Sequence, residues 1–492
     1  MCLGLASGGA CAQAGPGLRI TSGVQFGLSY LDNSRFGATG AKGDLVAQIT
    51  PNVQIVGRSG RITGSLSYAL DVIHHARKIV GDNTRTDSLQ NSLNAALNAE
   101  LVPRWAYVDV NASIAQRSIS AYGQQSATAT QLNSNRTEVS SLSVSPYLRG
   151  PIGSIATYQL SVNGSVTNAK DVNAADAKSG SVSLAINSAT SGSIFGWGVQ
   201  ASRQRSKYNG VRATDNERVA LSATARPLPD VSFALHAGQE SSNVGTAYSQ
   251  SYANWGGDAR WTPSPRTSAA LSYDKRYFGN SYQLSLDHRF ALASVRLTSS
   301  RDAIGAGNAN GGSQPVTLYQ IFFAQFASLQ PDPSLRDQLV RDYLRALGLD
   351  PGALISGGYV NTGVTLLRRT DLSTSYAGRR VTLTLQAFAS QSSVLDGPAG
   401  ATDNNGVQQT GFNAIASYRL TPTSNLNLSL SELKTSANAA QLGNSLKSVS
   451  LSWNDQLGKR SSAGLSARYS VFDSPLNPYH ESALSGTLSV RF

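Results

Sequence analysis

The sequence has little charge, almost no cysteine and no long hydrophobic run. Charged residues make up 14% of its 492 residues. No run approaches the roughly 18 apolar residues that a membrane-spanning helix needs. Both cysteines, Cys2 and Cys11, lie near the N-terminus, so neither disulfides nor a cysteine metal site can organise the rest of the fold.

Small polar residues take the place of the missing charged ones. Mean hydropathy is -0.19, and Ser, Asn, Thr and Gln recur throughout, together with 46 glycines. A disordered chain would also be polar, but it would lack the regularly recurring Tyr, Leu, Val and Phe of this sequence. The length would suggest two to four soluble domains. A single large barrel is the main exception, because it needs no conventional core.

Apolar and polar residues alternate with period two over segments of about ten or more residues. Successive side chains of a strand point to opposite faces, and a transmembrane barrel strand has this length. Soluble strands are usually shorter, about five or six residues. The pattern predicts that one face meets lipid, at positions such as Leu66, Leu383, Leu428 and Leu488, and that the other meets the lumen, at Ser67, Thr384, Ser429 and Ser489.

About 22 such segments follow one another, and the links between them have a two-fold rhythm. Links after even-numbered segments are short, whereas most links after odd-numbered segments are long and rich in Asn, Asp, Ser and Gly. Outer-membrane barrels have short periplasmic turns and long extracellular loops. We therefore predict an all-β fold, a single antiparallel transmembrane barrel of about 22 strands, in the outer membrane of a Gram-negative bacterium.

The two ends of the chain fit this localisation. Ala12-Gln13-Ala14 is typical of a signal-peptidase site, so we interpret residues 1–14 as a signal-peptide remnant and residues 15–492 as the barrel; a flexible tail is the alternative. The last segment ends at Phe492, and a C-terminal aromatic residue resembles the signal read by the barrel-insertion machinery. We expect that machinery, outer-membrane lipid and lipopolysaccharide as partners.

Residues 301–357 break the alternation. They open with a glycine-rich stretch and continue with apolar residues at helical spacing. Asp332-Pro333 is a typical helix start, whereas Gly348 and Pro351 are typical of a helix end. The pattern predicts a small helical insertion, two short amphipathic helices between strands 15 and 16. Its candidate gate or plug residues are Leu318, Phe322, Phe326, Leu339 and Leu344.

An apolar face of this size seldom stays in water. By strand parity the insertion begins on the extracellular side. Three arrangements are open: the helices fold into the lumen as a gate, cap the mouth of the barrel, or pack only on each other. The gate hypothesis follows from the width of the barrel, since a permanently open large pore would compromise the outer membrane.

Several stretches resemble one family. They are Asn98 to Pro103, Ala112 to Gly123, Ser143 to Arg149, the insertion from Leu318 to Pro351, and Gly378-Arg379-Arg380 shortly after it. These stretches are similar to the exosortase (PEP-CTERM) system-associated outer-membrane proteins of exopolysaccharide gene clusters. The resemblance spans most of the chain. It implies a place in exopolysaccharide production or secretion, with the polymer and polysaccharide-export proteins as partners, but it carries over no functional residues.

Motifs for enzymatic chemistry are missing from the sequence. No HExxH, CxxC, nucleophile elbow or P-loop occurs, so we expect neither an enzyme nor a cofactor. The pair His74-His75 is better interpreted as solvated polar residues than as metal ligands. His236 falls on the polar face of its strand, where we expect it to meet lumen water.

The net charge of +12 raises the possibility of nucleic-acid binding. The arginines are scattered along strands and turns instead of clustered, which argues against it. A cationic lumen that favours anionic solutes or acidic glycans is one interpretation; a solvated wall balanced by carboxylates is the other. The candidate lumen-facing charged residues are Arg260, Arg296, Arg419, Arg468, Arg491, Asp109 and Asp258.

Three functions remain open at this stage. The leading hypothesis is a conduit or structural component for exopolysaccharide secretion. A general porin or uptake channel is the first alternative; a TonB-type receptor would need a plug domain of roughly 150 residues before the barrel, and the first segment begins near residue 18. A surface or assembly protein that does not transport, and that the barrel only anchors, is the second.

Overall fold

A computed structural model describes most of the chain. The described residues are 17–34, 43–76, 87–128, 130–131, 133–172, 175–189, 194–305, 358–397 and 406–492, with the single residues Tyr319, Phe322, Phe323, Phe326, Arg336 and Val340. The predicted signal-peptide remnant, residues 1–14, lies outside them. No helix in these described ranges is long and apolar enough to cross a membrane.

Twenty-two antiparallel strands form one closed sheet. Each strand pairs with its neighbours in the chain, and β1 pairs with β22 from Gly23–Arg491 to Leu31–Ala483, which closes the barrel. The predicted fold class and strand number are therefore confirmed. The strands are β1 (Leu18–Leu31), β2 (Asp44–Arg58), β3 (Ile62–His75), β4 (Asp87–Val102), β5 (Ala106–Ser118), β6 (Arg136–Ile152), β7 (Ala156–Ala169), β8 (Ala177–Ser188), β9 (Phe195–Tyr208), β10 (Thr214–Leu228), β11 (Val231–Ser242), β12 (Gln250–Ser264), β13 (Thr267–Arg276), β14 (Gly279–Arg289), β15 (Ala293–Ile304), β16 (Val364–Ala377), β17 (Val381–Asp396), β18 (Gln408–Arg419), β19 (Ser424–Thr435), β20 (Asn444–Asp455), β21 (Ser461–Asp473) and β22 (Tyr479–Arg491).

The register gathers the large apolar side chains on the outer face. Leu286, Leu297 and Leu372 lie side by side on β14, β15 and β16, and Leu286 and Leu372 are 40% and 45% exposed. Because exposed leucines of this kind recur around the barrel, the exterior is an apolar band that only lipid can cover. The protein is an outer-membrane β-barrel. The short links and both barrel termini lie at one end, which is the periplasmic end.

The helical insertion is not seen as a continuous element. Of residues 306–357, the structure describes only single positions: Tyr319, Phe322, Phe323, Arg336 and Val340 have helical backbone, and Phe326 lies in a 3₁₀ turn. Three of the candidate gate residues, Leu318, Leu339 and Leu344, lie outside the described residues.

The two faces of one strand differ in their expected tolerance of charge. Leu428 on β19 is 40% exposed on the outer face, and its neighbour Ser429 points into the lumen, where it hydrogen-bonds Ser450 at 2.6 Å. We expect Leu428→Arg to lower the free energy of unfolding by about 2–4 kcal/mol, and Ser429→Arg by far less. Chemical unfolding in lipid vesicles measures both, and equal losses would contradict the assignment of the faces.

Thr384 is not a suitable lumen site for the same comparison. It occupies a lumen position, as predicted, but it is only 4% exposed. Arginine at this position would have to displace whatever covers the wall, so we expect Thr384→Arg to be poorly tolerated.

Candidate functional site

Part of the insertion lies inside the barrel. Phe322 and Val340 are buried together and pack against Tyr319, Phe323, Phe326 and Ile415. Ile415 is on β18, four positions before the periplasmic end of the strand at Arg419. It has the opposite parity to the exposed Phe412 and Tyr418, so it faces the lumen. The described residues of the insertion therefore reach deep into the lumen instead of capping its extracellular end.

The barrel wall around this contact is covered. Lumen-facing polar side chains on β17, β18 and β19 are buried, although they would meet water in an open pore: Thr384, Gln386, Ser417 and Asn427. Ser417 donates a hydrogen bond to Asn427 at 2.5 Å, which links β18 to β19. We call the described insertion residues in contact with this wall, Phe322, Val340 and their aromatic neighbours, the plug contact.

A cationic cavity lies at the periplasmic mouth, directly next to the plug contact. Its volume is about 540 Å³, and Ser417 lies in its lining. One carboxylate, Asp455, lines it together with six basic side chains: Arg379, Arg380, Arg419, Lys459, Arg460 and Arg491. These come from the turns β16–β17 and β20–β21 and from the ends of β18 and β22. The electrostatic potential of this cavity therefore favours anions.

The extracellular mouth is crossed by the β5–β6 loop, residues 119–135. Its backbone carbonyls accept hydrogen bonds from strands on the far side of the β1–β22 seam. Thr435 and Asn444 each donate to the carbonyl of Ala121 at 3.2 Å, and Tyr479 donates to the carbonyl of Gln125 at 2.7 Å. Gln131 donates to the Glu481 carboxylate. The loop is thus tied to β19, β20 and β22.

Tyr122 of the same loop makes two further hydrogen bonds to distant parts of the chain. Its hydroxyl accepts a hydrogen bond from Asn438 at 2.9 Å and donates to the carbonyl of Gly406 at 3.4 Å. Burial raises the pKa of Tyr122, so the phenol keeps the proton that it donates. Every one of these contacts joins residues more than 250 positions apart, and together they narrow the opening.

Two further contacts cross the same end. Asp396 at the end of β17 accepts hydrogen bonds from Arg212 of the β9–β10 loop at 2.5 Å and from the backbone of Gly245 in the β11–β12 loop at 2.9 Å. The segment before β16 pairs with the end of β5, where Val360 donates to Ser118 at 3.0 Å. The described extracellular loops therefore converge over the lumen.

Charged side chains form a network on the inner wall of β10 to β15. Asp274 accepts hydrogen bonds from Arg218 at 2.5 Å and from His236 at 2.6 Å. Arg276 binds Glu240 at 2.7 Å and Asp302 at 3.1 Å. The Glu240 side chain is completely buried. Because the two arginines of this network are paired with carboxylates, the network adds little net positive charge to this side of the lumen.

The predicted lumen charges all occupy inward positions, but they do not form one site. Arg419 and Arg491 line the cationic cavity. Arg468 binds Glu481 at 3.1 Å, Arg296 binds Asp287 at 3.1 Å, and Asp258 lies 3.5 Å from His236. Asp109 accepts a hydrogen bond from Asn98. Arg260 is an exposed inward residue of β12.

One expectation about histidine is wrong. His75 is buried and lies 2.9 Å from the buried Asp44, so it is not a solvated side chain. His236 faces the lumen as predicted, and its ring lies 3.5 Å from Asp258 on β12 and 2.6 Å from Asp274 on β13. In the described part of the chain, no group of three His, Cys, Asp or Glu side chains is placed to hold a metal ion.

The comparison with known proteins yields structural similarity alone. No family model and no curated protein matches the sequence. The FrpB iron transporter from Neisseria meningitidis (F5-1 variant) is similar in structure, with 10% identity and a TM-score of 0.48 over 97% of this chain and 83% of that one. The siderophore receptor PirA from Acinetobacter baumannii has 9% identity and a TM-score of 0.45 over 96% and 80%. The outer membrane protein OpdK from Pseudomonas aeruginosa has 8% identity and a TM-score of 0.37 over 96% and 99%.

Proposed function

We propose that this barrel is a gated conduit for an acidic exopolysaccharide, working with an exosortase-associated export system. The observation that carries the proposal is the cationic cavity at the periplasmic mouth. A polymer that leaves the periplasm meets this mouth first. The resemblance of the sequence to barrels of exopolysaccharide gene clusters supports the choice of polymer over a small solute.

The charge arrangement suits a polyanion better than a single strong ligand. The six basic side chains are spread over a cavity of about 540 Å³, and Arg379, Arg380, Arg419, Lys459 and Arg460 have no carboxylate within 4 Å among the described residues. Clefts lined by one sign of charge raise the local concentration of the opposite ion. The carboxylates of a glycan would make several weak contacts with these basic side chains. No single contact would be strong enough to hold the polymer, so it can enter the cavity and still move through it.

Transport would require the plug contact to move. The polymer entering the cavity meets the buried wall at Ser417 and the plug contact at Ile415, while the β5–β6 loop narrows the far end. A barrel that is obstructed at one level and narrowed at another would leak little when no polymer is present. The conduit is therefore a gated one, and its opening must displace apolar contacts at one end and hydrogen bonds at the other.

A second candidate function is the passage of small organic anions in either direction. The same cationic cavity favours it, since the cavity does not distinguish a free carboxylate from one in a polymer. Export measurements separate the two functions. Loss of polymer in the medium after deletion of the gene, restored by the wild-type barrel, supports the export conduit; normal polymer secretion together with loss of uptake of a small anion supports the second candidate.

Removing charge from the cavity is expected to change ion selectivity. The variant Arg379→Gln/Arg419→Gln/Lys459→Gln removes three of the six basic side chains of the cavity. We expect its anion-to-cation permeability ratio to fall by roughly threefold or more, because the local anion concentration falls with the potential. Reversal potentials in planar bilayers under a salt gradient, with the plug opened by voltage or deletion, measure this ratio.

The matched control removes three positive charges that face outward. Arg203→Gln/Arg205→Gln/Lys207→Gln changes the same net charge, but these side chains lie on the exposed outer face of β9. It should leave the ratio unchanged. Equal shifts in both triple variants would mean that net charge, and not the cavity, sets selectivity.

A further inference from the structure

Three basic side chains stand together on the outer face of the barrel. They are Lys275 on β13, Arg301 on β15 and Arg368 on β16. Their outward direction follows from the register, because Arg301 has the parity of Leu297 and Arg368 that of the exposed Leu372. The proposed conduit uses none of them, since they point away from the lumen.

The pairing of two of these residues is unfavourable on its own. Arg301 and Arg368 are directly opposite each other on adjacent strands, and like charges in that position repel. Arg301 donates to the backbone carbonyl of Asn280, and Lys275 lies 3.5 Å from the side-chain oxygen of the same residue. Neither contact neutralises a charge. No outward position of β12 to β17, all of them described, holds an aspartate or a glutamate.

The three side chains lie at one height. Arg301 is eight residues from the periplasmic end of β15 and Lys275 is eight from that of β13, while Arg368 is nine from that of β16. A tilted strand rises about 2.5 Å per residue along the barrel axis, so the cluster stands about 20 Å above the periplasmic end. The apolar band of such a barrel is about 25 Å tall. The cluster therefore lies near its outer boundary, at the level of the headgroups of the outer leaflet.

The surface below the cluster is apolar on β14, whereas Ser299 and Thr370 lie directly below Arg301 and Arg368. Tyr282 lies beside Arg301 on β14, and Leu284 and Leu286 continue down the same strand. A molecule bound to the cluster by an anionic group would lay its apolar part along this column. We propose that Lys275, Arg301 and Arg368 form a binding site for the phosphate group of an outer-leaflet lipid, with its acyl chains against β14 and β15.

Phosphate is the anion that this geometry fits. Arginine binds phosphate oxygens through two parallel N–H groups, and two arginines on adjacent strands can grip one phosphate from both sides. The bound anion removes the repulsion between Arg301 and Arg368. A second group of outward basic residues, on β9, does not need a bound anion to neutralise it, because Arg203 lies 3.2 Å from Glu217 and Arg205 lies 3.9 Å from Asp215.

Native mass spectrometry of the full chain with lipid A as the probe tests the site. The variant Arg301→Gln/Arg368→Gln is compared with Arg226→Gln/Arg266→Gln, which loses the same charge at the periplasmic end. We expect lipid A to bind the wild type and the control equally and the Arg301→Gln/Arg368→Gln variant at least tenfold more weakly. Heat-modifiable migration on gels establishes that each variant is folded.

Two further arms decide the source of the phosphate. Dephosphorylated lipid A should bind the wild type as weakly as lipid A binds the Arg301→Gln/Arg368→Gln variant. This comparison tests the phosphate on the wild-type protein, without any substitution. Inorganic phosphate should not displace lipid A at equal concentration. Equal lipid A binding by the two double variants overturns the proposal. Displacement by inorganic phosphate also overturns it, because the site would then belong to the free ion.

Discussion

Removing residues 314–352 is expected to raise the single-channel conductance of the barrel by roughly tenfold, since barrels of this size enclose a wide lumen when nothing fills it. The reason is the plug contact, where Phe322 and Val340 lie against the inward-facing Ile415. Planar-bilayer recordings of the wild type and the deletion variant measure the change. Cells that carry the variant should also become sensitive to bulky antibiotics that do not normally cross the outer membrane.

A point variant tests gating by the plug contact without deleting any residues. Ile415→Asp places a charge in the apolar plug contact and should raise the open probability. Ser429→Asp is the matched control, because Ser429 is the register partner of Ile415 on β19 and also faces the lumen. Unchanged conductance in a folded deletion variant would refute gating by the insertion and leave its described residues as lumen packing.

Replacing Glu240 by alanine is expected to lower the free energy of unfolding by about 3–5 kcal/mol. The carboxylate is completely buried, binds Arg276 at 2.7 Å and also accepts a hydrogen bond from Asn216 at 3.0 Å. Its loss leaves the Arg276 charge buried with Asp302 as its remaining partner. Denaturant unfolding in detergent micelles, followed by tryptophan fluorescence, measures the difference.

Glu217 on the next strand provides the comparison. It binds Arg203 at 3.2 Å on the outer face, where 53% of the glutamate side chain is exposed, and such pairs contribute about 0–1 kcal/mol. Glu217→Ala should therefore have little effect, and the loss in Glu240→Ala should persist at high salt. Similar losses in both variants would show that burial of Glu240 does not decide its contribution.

The alternation of apolar and polar residues was sufficient to predict the barrel. Each strand is paired with its chain neighbours, so the whole sheet is built from local hairpins, and parity alone assigns the faces. The same reasoning placed Arg296 and Asp258 inside the lumen. It could not show that Arg296 is paired with Asp287, because parity gives the direction of a side chain and not its distance from a partner.

The cationic cavity could not be found from the sequence, because its parts are far apart in the chain. Arg379 and Arg380 lie about 80 positions before Lys459 and Arg460, and Arg491 reaches the same mouth by pairing beside Arg460 at the end of β22. The buried state of Thr384 and His75 has the same origin. What covers a lumen residue comes from another part of the chain, and alternation contains no information about it.

The β5–β6 loop also reports on closure of the barrel. Its partners Asn444, Tyr479 and Glu481 belong to the last strands of the chain, so the loop can make these hydrogen bonds only when the two parts of the sheet have come together. An unfinished barrel would present residues 119–135 to surface proteases, and a finished one would hide them. Cleavage in this loop therefore distinguishes barrels whose seam is still open from those that have matured.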